Sequence, residues 1–111
     1  MSTARAIIDA MGTARAIVDP IIRSWALHDI AKAQARAGDF PGAVATAREI
    51  ADPMYRSLAL RDIAEAQARA GDGRSALEVI DAVSSPAERA HSLAQVASAL
   101  ASARQESSNT R

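Results

Sequence analysis

His28, Asp29, Asp62 and His91 are the residues of this chain on which acid–base or metal chemistry could rest. Histidine titrates near neutral pH, so His28 with a carboxylate to orient it is the natural general-base candidate. Adjacent helical residues point about 100° apart, however, so His28 and Asp29 do not form a working pair. The residue matching His28 one repeat further on is Arg61, which replaces a titrating group with a permanent cation. Neither histidine has a carboxylate at i+3 or i+4, so no metal site is expected. Cysteine is absent, which excludes thiolate chemistry and Cys-based zinc sites. Phosphate loops of the GxxxxGK[ST] and GxGxxG types are absent too, and Gly71-Asp72-Gly73 is better explained by helix capping. The expectation is a non-catalytic protein without cofactor or metal.

The elements that position these residues follow from composition and repetition. The chain has 111 residues, 49% of them hydrophobic but only 3% aromatic, and alanine dominates the apolar set. One core built by close approach of helix backbones is therefore expected. Lys+Arg and Asp+Glu each total 13, so no net field draws the chain to nucleic acid or an anionic membrane. The opening MSTARAIIDAMG carries Arg5 and Asp9 within what would have to be an apolar run, so it reads neither as a signal peptide nor as a span. A cytoplasmic location is the expectation.

HDIAKAQARAGD at His28 returns as RDIAEAQARAGD at Arg61, a step of 33 residues. Arg23 to Asp39 matches Arg56 to Asp72 except at Trp25/Leu58, His28/Arg61 and Lys32/Glu65. The same step links Pro20, Pro53 and Pro86. Leu27, Ile30, Ala31 and Gln34 fall at i, i+3, i+4 and i+7, as do Leu60, Ile63, Ala64 and Gln67, so each long segment is a helix with one packed stripe. These A helices end at Gly38 and Gly71, where glycine takes the left-handed conformation of a C-cap. Shorter B helices follow, carrying Ala43, Val44, Ala47 and Ile50, then Ala76, Leu77, Ile80 and Val83, and each stops near a proline. Adding a first B-type helix from Thr3 to Val18 and a last A-type helix from Pro86 to Ala103 gives an all-α chain of about six helices. Repeated helix pairs at a fixed period stack into an α-solenoid. The domain is expected over 1–103, with a disordered polar tail over 104–111.

The pattern resembles the tetratricopeptide repeat over nearly the whole chain. Gly38 and Gly71 match that family's turn glycine, Leu27/Leu60 and Ile30/Ile63 its first-helix core positions, and Ala43/Ala76 its small second-helix residue. Departures are Ala31/Ala64 in place of a small glycine, Gln34/Gln67 and Ala47/Ile80 where aromatics are common, and a period of 33 rather than 34. The resemblance implies a scaffold that binds extended peptides on a concave surface lined by the A helices. The matching positions are Trp25, His28, Lys32 and Arg36, then Leu58, Arg61, Glu65 and Arg69, then His91. All three differences between the copies lie on that face. Its basic residues favour an acidic protein or peptide partner. The alternative is a structural homo-oligomer, or an engineered or recently duplicated array with no peptide ligand.

Recurrence of Asp29/Asp62 and of Arg23/Arg56/Arg89 is read as an inter-repeat ion pair or helix cap. Self-association is expected through the outer helices. Leu93, Val96 and Leu100 of the last helix lack a following helix in sequence to cover them, and Ala10, Ala14 and Ile17 of the first, with Ile7 and Met11, face the place of a preceding A helix. The two surfaces are complementary, so a homo-oligomer is expected.

Overall fold

Proline, glycine and aspartate set the helix boundaries. In the computed structural model, which describes residues 3–83 and 85–109, the elements are α1 (Thr3–Arg15), α2 (Pro20–Arg36), α3 (Phe40–Arg48), α4 (Pro53–Arg69), α5 (Gly73–Asp81) and α6 (Pro86–Asn109). No strand occurs among the described residues. Asp19 and Asp52 cap α2 and α4, each accepting two backbone N–H bonds, with proline at the first helical position where no N–H is needed. At the other end of these helices, Gly38 (φ 84°) and Gly71 (φ 88°) hold left-handed conformations. Asp39 N–H bonds Gln34 O and Asp72 N–H bonds Gln67 O, which closes a Schellman turn at each site. Asp39 and Asp72 then cap the following helix through Gly42 N–H and Ser75 N–H. Bonds from Ser75 hold the Asp72 carboxyl below the usual carboxylate range. Three residues, Ala-Gly-Asp, thus end one helix and start the next.

The recurring arginines have the capping role expected of them. Arg23 donates to Ile17 O (2.7 Å), Arg56 to Ile50 O (3.1 Å) and Arg89 to Val83 O (2.9 Å), each tying the first turn of a long helix to a carbonyl at the end of the preceding short segment.

α4 lies at the centre, packed on α2, α3, α5 and α6, while α1 packs on α2. The long helices α2, α4 and α6 form a row, and each of α3 and α5 bridges two members of it. The smallest dimension of the molecule, 16 Å, is that of two helices in contact. Small residues permit this: Ala31, Ala43, Ala47, Ala59, Ala64, Ala68 and Ala76 are all sealed from solvent. No described helix is long and apolar enough to cross a membrane.

Two boundaries differ from expectation. α1 ends at Arg15 rather than Val18, because Ala16 and Ile17 close a tight final turn before Asp19-Pro20. α6 runs to Asn109 rather than Ala103, so 104–109 are helical and not a disordered tail. Arg104, Gln105 and Glu106 are good helix formers, and no glycine or proline stops the helix there. Residues 110 and 111 of the expected tail lie outside the described residues.

One polar pair breaks the repeat. Buried Thr46 donates to buried Gln34 Oε1 at 2.6 Å, but one repeat later the threonine is Val79, and Gln67 Oε1 is buried with no partner. A satisfied buried bond contributes about 1 kcal/mol net, and an orphaned acceptor costs about 1–3 kcal/mol. Val79→Thr is therefore expected to raise the melting temperature by about 4–8 °C, the shift that ~1 kcal/mol brings in a domain of this size. Thermal denaturation followed by circular dichroism checks this, and an unchanged or lower midpoint contradicts it.

Candidate partner-binding surface

The row of long helices brings the nine expected contact residues onto neighbouring elements. Trp25, His28, Lys32 and Arg36 lie on α2, Leu58, Arg61, Glu65 and Arg69 on α4, and His91 on α6. Spacings of three and four along each helix put each set in one stripe. Trp25 is 53% exposed, and Arg36, Arg69 and His91 are also exposed. Lys32, Leu58, Arg61 and Glu65 are half-buried.

Leu58, Arg61 and His91 meet in a cleft of about 320 Å³ between α4 and α6, completed by Met54, Ser57, Ala87, Glu88 and Ser92. Arg61 Nε is buried there with no hydrogen-bond partner. His91 is bonded to Gln95 (3.2 Å) on its own helix. Arg69 is held by Glu65 (2.7 Å), so its charge is partly spent within α4.

His28 is engaged in another way. Its Nε2 lies 2.9 Å from Asp62 Oδ2, with both side chains largely enclosed, at 14% and 20% exposure, and Asp29 Oδ1 stands 4.0 Å from Nδ1. The Tyr55 ring packs beside it, 6.2 Å between centroids. His28 therefore clamps α2 to α4, as a hydrogen bond when neutral and an ion pair when protonated. The sequence singled out both residues but not their pairing, since the partner sits one repeat plus one residue ahead. Arg15 and Glu49 obey the same 34-residue offset, in a two-pronged bond of 3.0 and 2.8 Å between α1 and the end of α3. Arg15 holds the Glu49 carboxyl below its ordinary value, chiefly through that bond. At the next α2/α4-type junction the matching residues are Arg61 and Gln95, which do not pair.

Several residues expected to mediate self-association are already used inside the protein. Met11, Ala14 and Val96 are buried, and Ile7, Ala10, Ile17 and Leu100 are half-buried. Met11 and Ala14 belong to the main core, while Val96 packs with Ala64, Ala68, Ala76, Ile80 and Ala99. Leu100 abuts Gly73, so close that a Cβ on that glycine would stand 3.1 Å from Leu100 Cδ1. The open part of α6 is a different line. Leu60, Ala64 and Ala68 of α4 are buried, as are Leu27, Ala31 and Ala35 of α2, but the matching Leu93, Ala97 and Ala101 are exposed, Leu93 by 44%. Only Leu93 of that line was named by the sequence reading; the 33-residue step points to the other two. Comparison with known proteins finds no matching family model, no matching curated protein and no matching solved structure.

Proposed function

We propose that this chain is a tetratricopeptide-like α-solenoid of antiparallel helix pairs that works as a non-catalytic scaffold, assembling with further copies of itself and binding protein partners. The observation that carries the reading is the Leu-x₃-Ala-x₃-Ala line, buried in α2 and α4 and bare in α6. On the internal helices that line lies within the packed core. On α6 the same residues await the same kind of cover. The first helix of a second copy offers it through half-buried Ala10 and Ile17, which match, one repeat earlier, Ala43 and Ile50, sealed in the core; Ala14, the match of Ala47, is already buried within its own chain. Contacts of this head-to-tail type either close into a ring or extend. Sedimentation velocity across a concentration series tests the reading: mass rising above 11.6 kDa with concentration supports it, and a monomer at high micromolar concentration removes it.

Partner binding on the long-helix row is supported by cations that find no partner inside the molecule. Lys32 and Arg36 make no hydrogen bond or ion pair among the described residues, and Arg61 Nε lacks a partner in the α4/α6 cleft. An acidic peptide suits them, since guanidinium grips a carboxylate through two parallel bonds. With such a peptide, Arg36→Glu combined with Arg69→Glu is expected to weaken binding and flatten its salt dependence. Because Arg69 is tied to Glu65, Arg36 carries most of the effect. Fluorescence anisotropy at two salt concentrations measures it, and unchanged affinity places the partner elsewhere.

A further inference from the structure

The two junctions between successive short helices differ, and the first serves as a control for the second. Where α1 meets α3, Thr46 approaches Met11 (3.8 Å to the sulfur) and bonds Gln34, and Glu49 takes Arg15. Where α3 meets α5, the residues matching Met11, Thr46 and Glu49 are Val44, Val79 and Ala82, and all three are shorter or stripped of their polar group. The result is a groove of about 720 Å³ over α4, lined by Phe40, Val44, Arg48, Gln67, Val79 and Ala82. That volume lies in the range of sites that hold a ligand, about 300–1,000 Å³. No hydrogen bond or ion pair joins α3 to α5 among the described residues. Arg48, the counterpart of Arg15, pairs with no carboxylate among the described residues. Gln67 is only 5% exposed, lines the groove, and leaves Oε1 unpaired.

We propose that the α3/α5 groove binds a short extended peptide segment that carries a carboxylate, which pairs with Arg48, while a peptide N–H of the segment bonds Gln67. Rotation of the Gln67 amide about its soft terminal torsion presents Oε1 to the groove. Phe40, Val44 and Val79 supply the apolar contact. The remaining charges orient the segment: Arg48 and Arg56, in the last turn of α3 and near the start of α4, lie at one end, and Asp72, beyond the end of α4, lies at the other. Arg56 and Gln67 are separated along α4 by eleven residues, about 16 Å at the helical rise, which an extended chain spans in about five residues. A segment with a carboxylate at one end and a cation at the other matches both ends. This site is separate from the long-helix row.

The test uses the whole chain, labelled with nitrogen-15, titrated to millimolar acetyl-Glu-Leu-Thr-Leu-Lys-amide, with acetyl-Lys-Leu-Thr-Leu-Lys-amide as the control lacking the carboxylate. The expected result is shift changes at Val44, Arg48, Ala82 and the Gln67 side-chain amide with the first peptide and weaker ones with the second. Ala82→Glu restores at this junction the carboxylate that Glu49 gives Arg15, so it competes with the peptide and is expected to weaken binding about tenfold, as is Arg48→Glu. Retained melting temperature in Ala82→Glu shows that the fold persists. Lys32→Glu with Arg36→Glu leaves the groove shifts unchanged. No shift with either peptide overturns the proposal, as does equal binding to the Ala82→Glu variant. Shifts confined to Lys32, Arg36 and Arg61 overturn it while supporting the long-helix row as the partner surface.

Discussion

The Ala76→Leu variant is expected to melt well below the wild type, by about 4–8 °C for each kcal/mol lost in a domain of this size. Ala76 on α5 has no accessible surface and packs with Ala64 and Ala68 of α4 and with Ile80 and Val96. Facing alanines let the α4 and α5 backbones come close, and leucine adds three carbons at a position sealed from solvent. Overpacking of this kind costs about 1–3 kcal/mol through off-rotamer side chains and displaced backbone. Ala43, its repeat mate on α3, is equally sealed, so Ala43→Leu serves as an internal replicate. Differential scanning calorimetry of both variants decides the matter. A midpoint equal to that of the wild type would show that the short helices do not pack through these alanines.

Much of the architecture was legible because the sequence repeats its punctuation. Pro20, Pro53 and Pro86 start the long helices, and Gly38 and Gly71 end two of them; each residue type has one physical reason to stand there. The end of α6 is not legible for the converse reason: after Ala103 the residues are polar, which suggests absence of structure, yet nothing among them terminates a helix. Helical periodicity puts Met11, Ala14 and Val96 on open faces because a one-dimensional stripe does not say how far a neighbouring helix wraps round it. In the structure Met11 and Ala14 lie in a core shared with α2 and α3, and Val96 packs with residues of α4 and α5. Pairs such as His28–Asp62 and Arg15–Glu49 lie at an offset of one repeat plus one, which becomes readable only when successive helices are known to lie side by side. The α3/α5 groove is not legible in the long helices, whose copies differ on their outer face; Met11/Val44, Thr46/Val79 and Glu49/Ala82 fall in and just after the short ones.

Self-assembly offers the last and most sensitive test, and the structure changes which residues should carry it. Leu93→Glu with Leu100→Glu, the pair suggested by helical periodicity alone, is a poor probe, since Leu100 packs on Gly73 and its loss would disturb α5. Leu93 and Ala97 are exposed members of the bare line on α6, so glutamate at both leaves the protein's own core untouched. Burying a leucine fully is worth about 1.5–3 kcal/mol, and two carboxylates forced into the same contact without partners reverse its sign. Leu93→Glu with Ala97→Glu is accordingly expected to convert a concentration-dependent assembly into a species of 11.6 kDa, with the helical circular dichroism signal and melting midpoint at low concentration unchanged. On the facing side, Ala10→Glu is expected to block assembly as well, because Ala10 on α1 occupies the repeat position that Ala43 fills against α2; since Ala10 also packs partly on the protein's own core, its melting midpoint is read beside its mass. A mixture distinguishes a ring or filament from nonspecific adhesion. Each single-ended variant keeps one good surface, so α6-blocked and α1-blocked chains should form a dimer with each other through the two intact faces and grow no further. If blocked chains self-associate as strongly as the wild type, the line on α6 is not the contact.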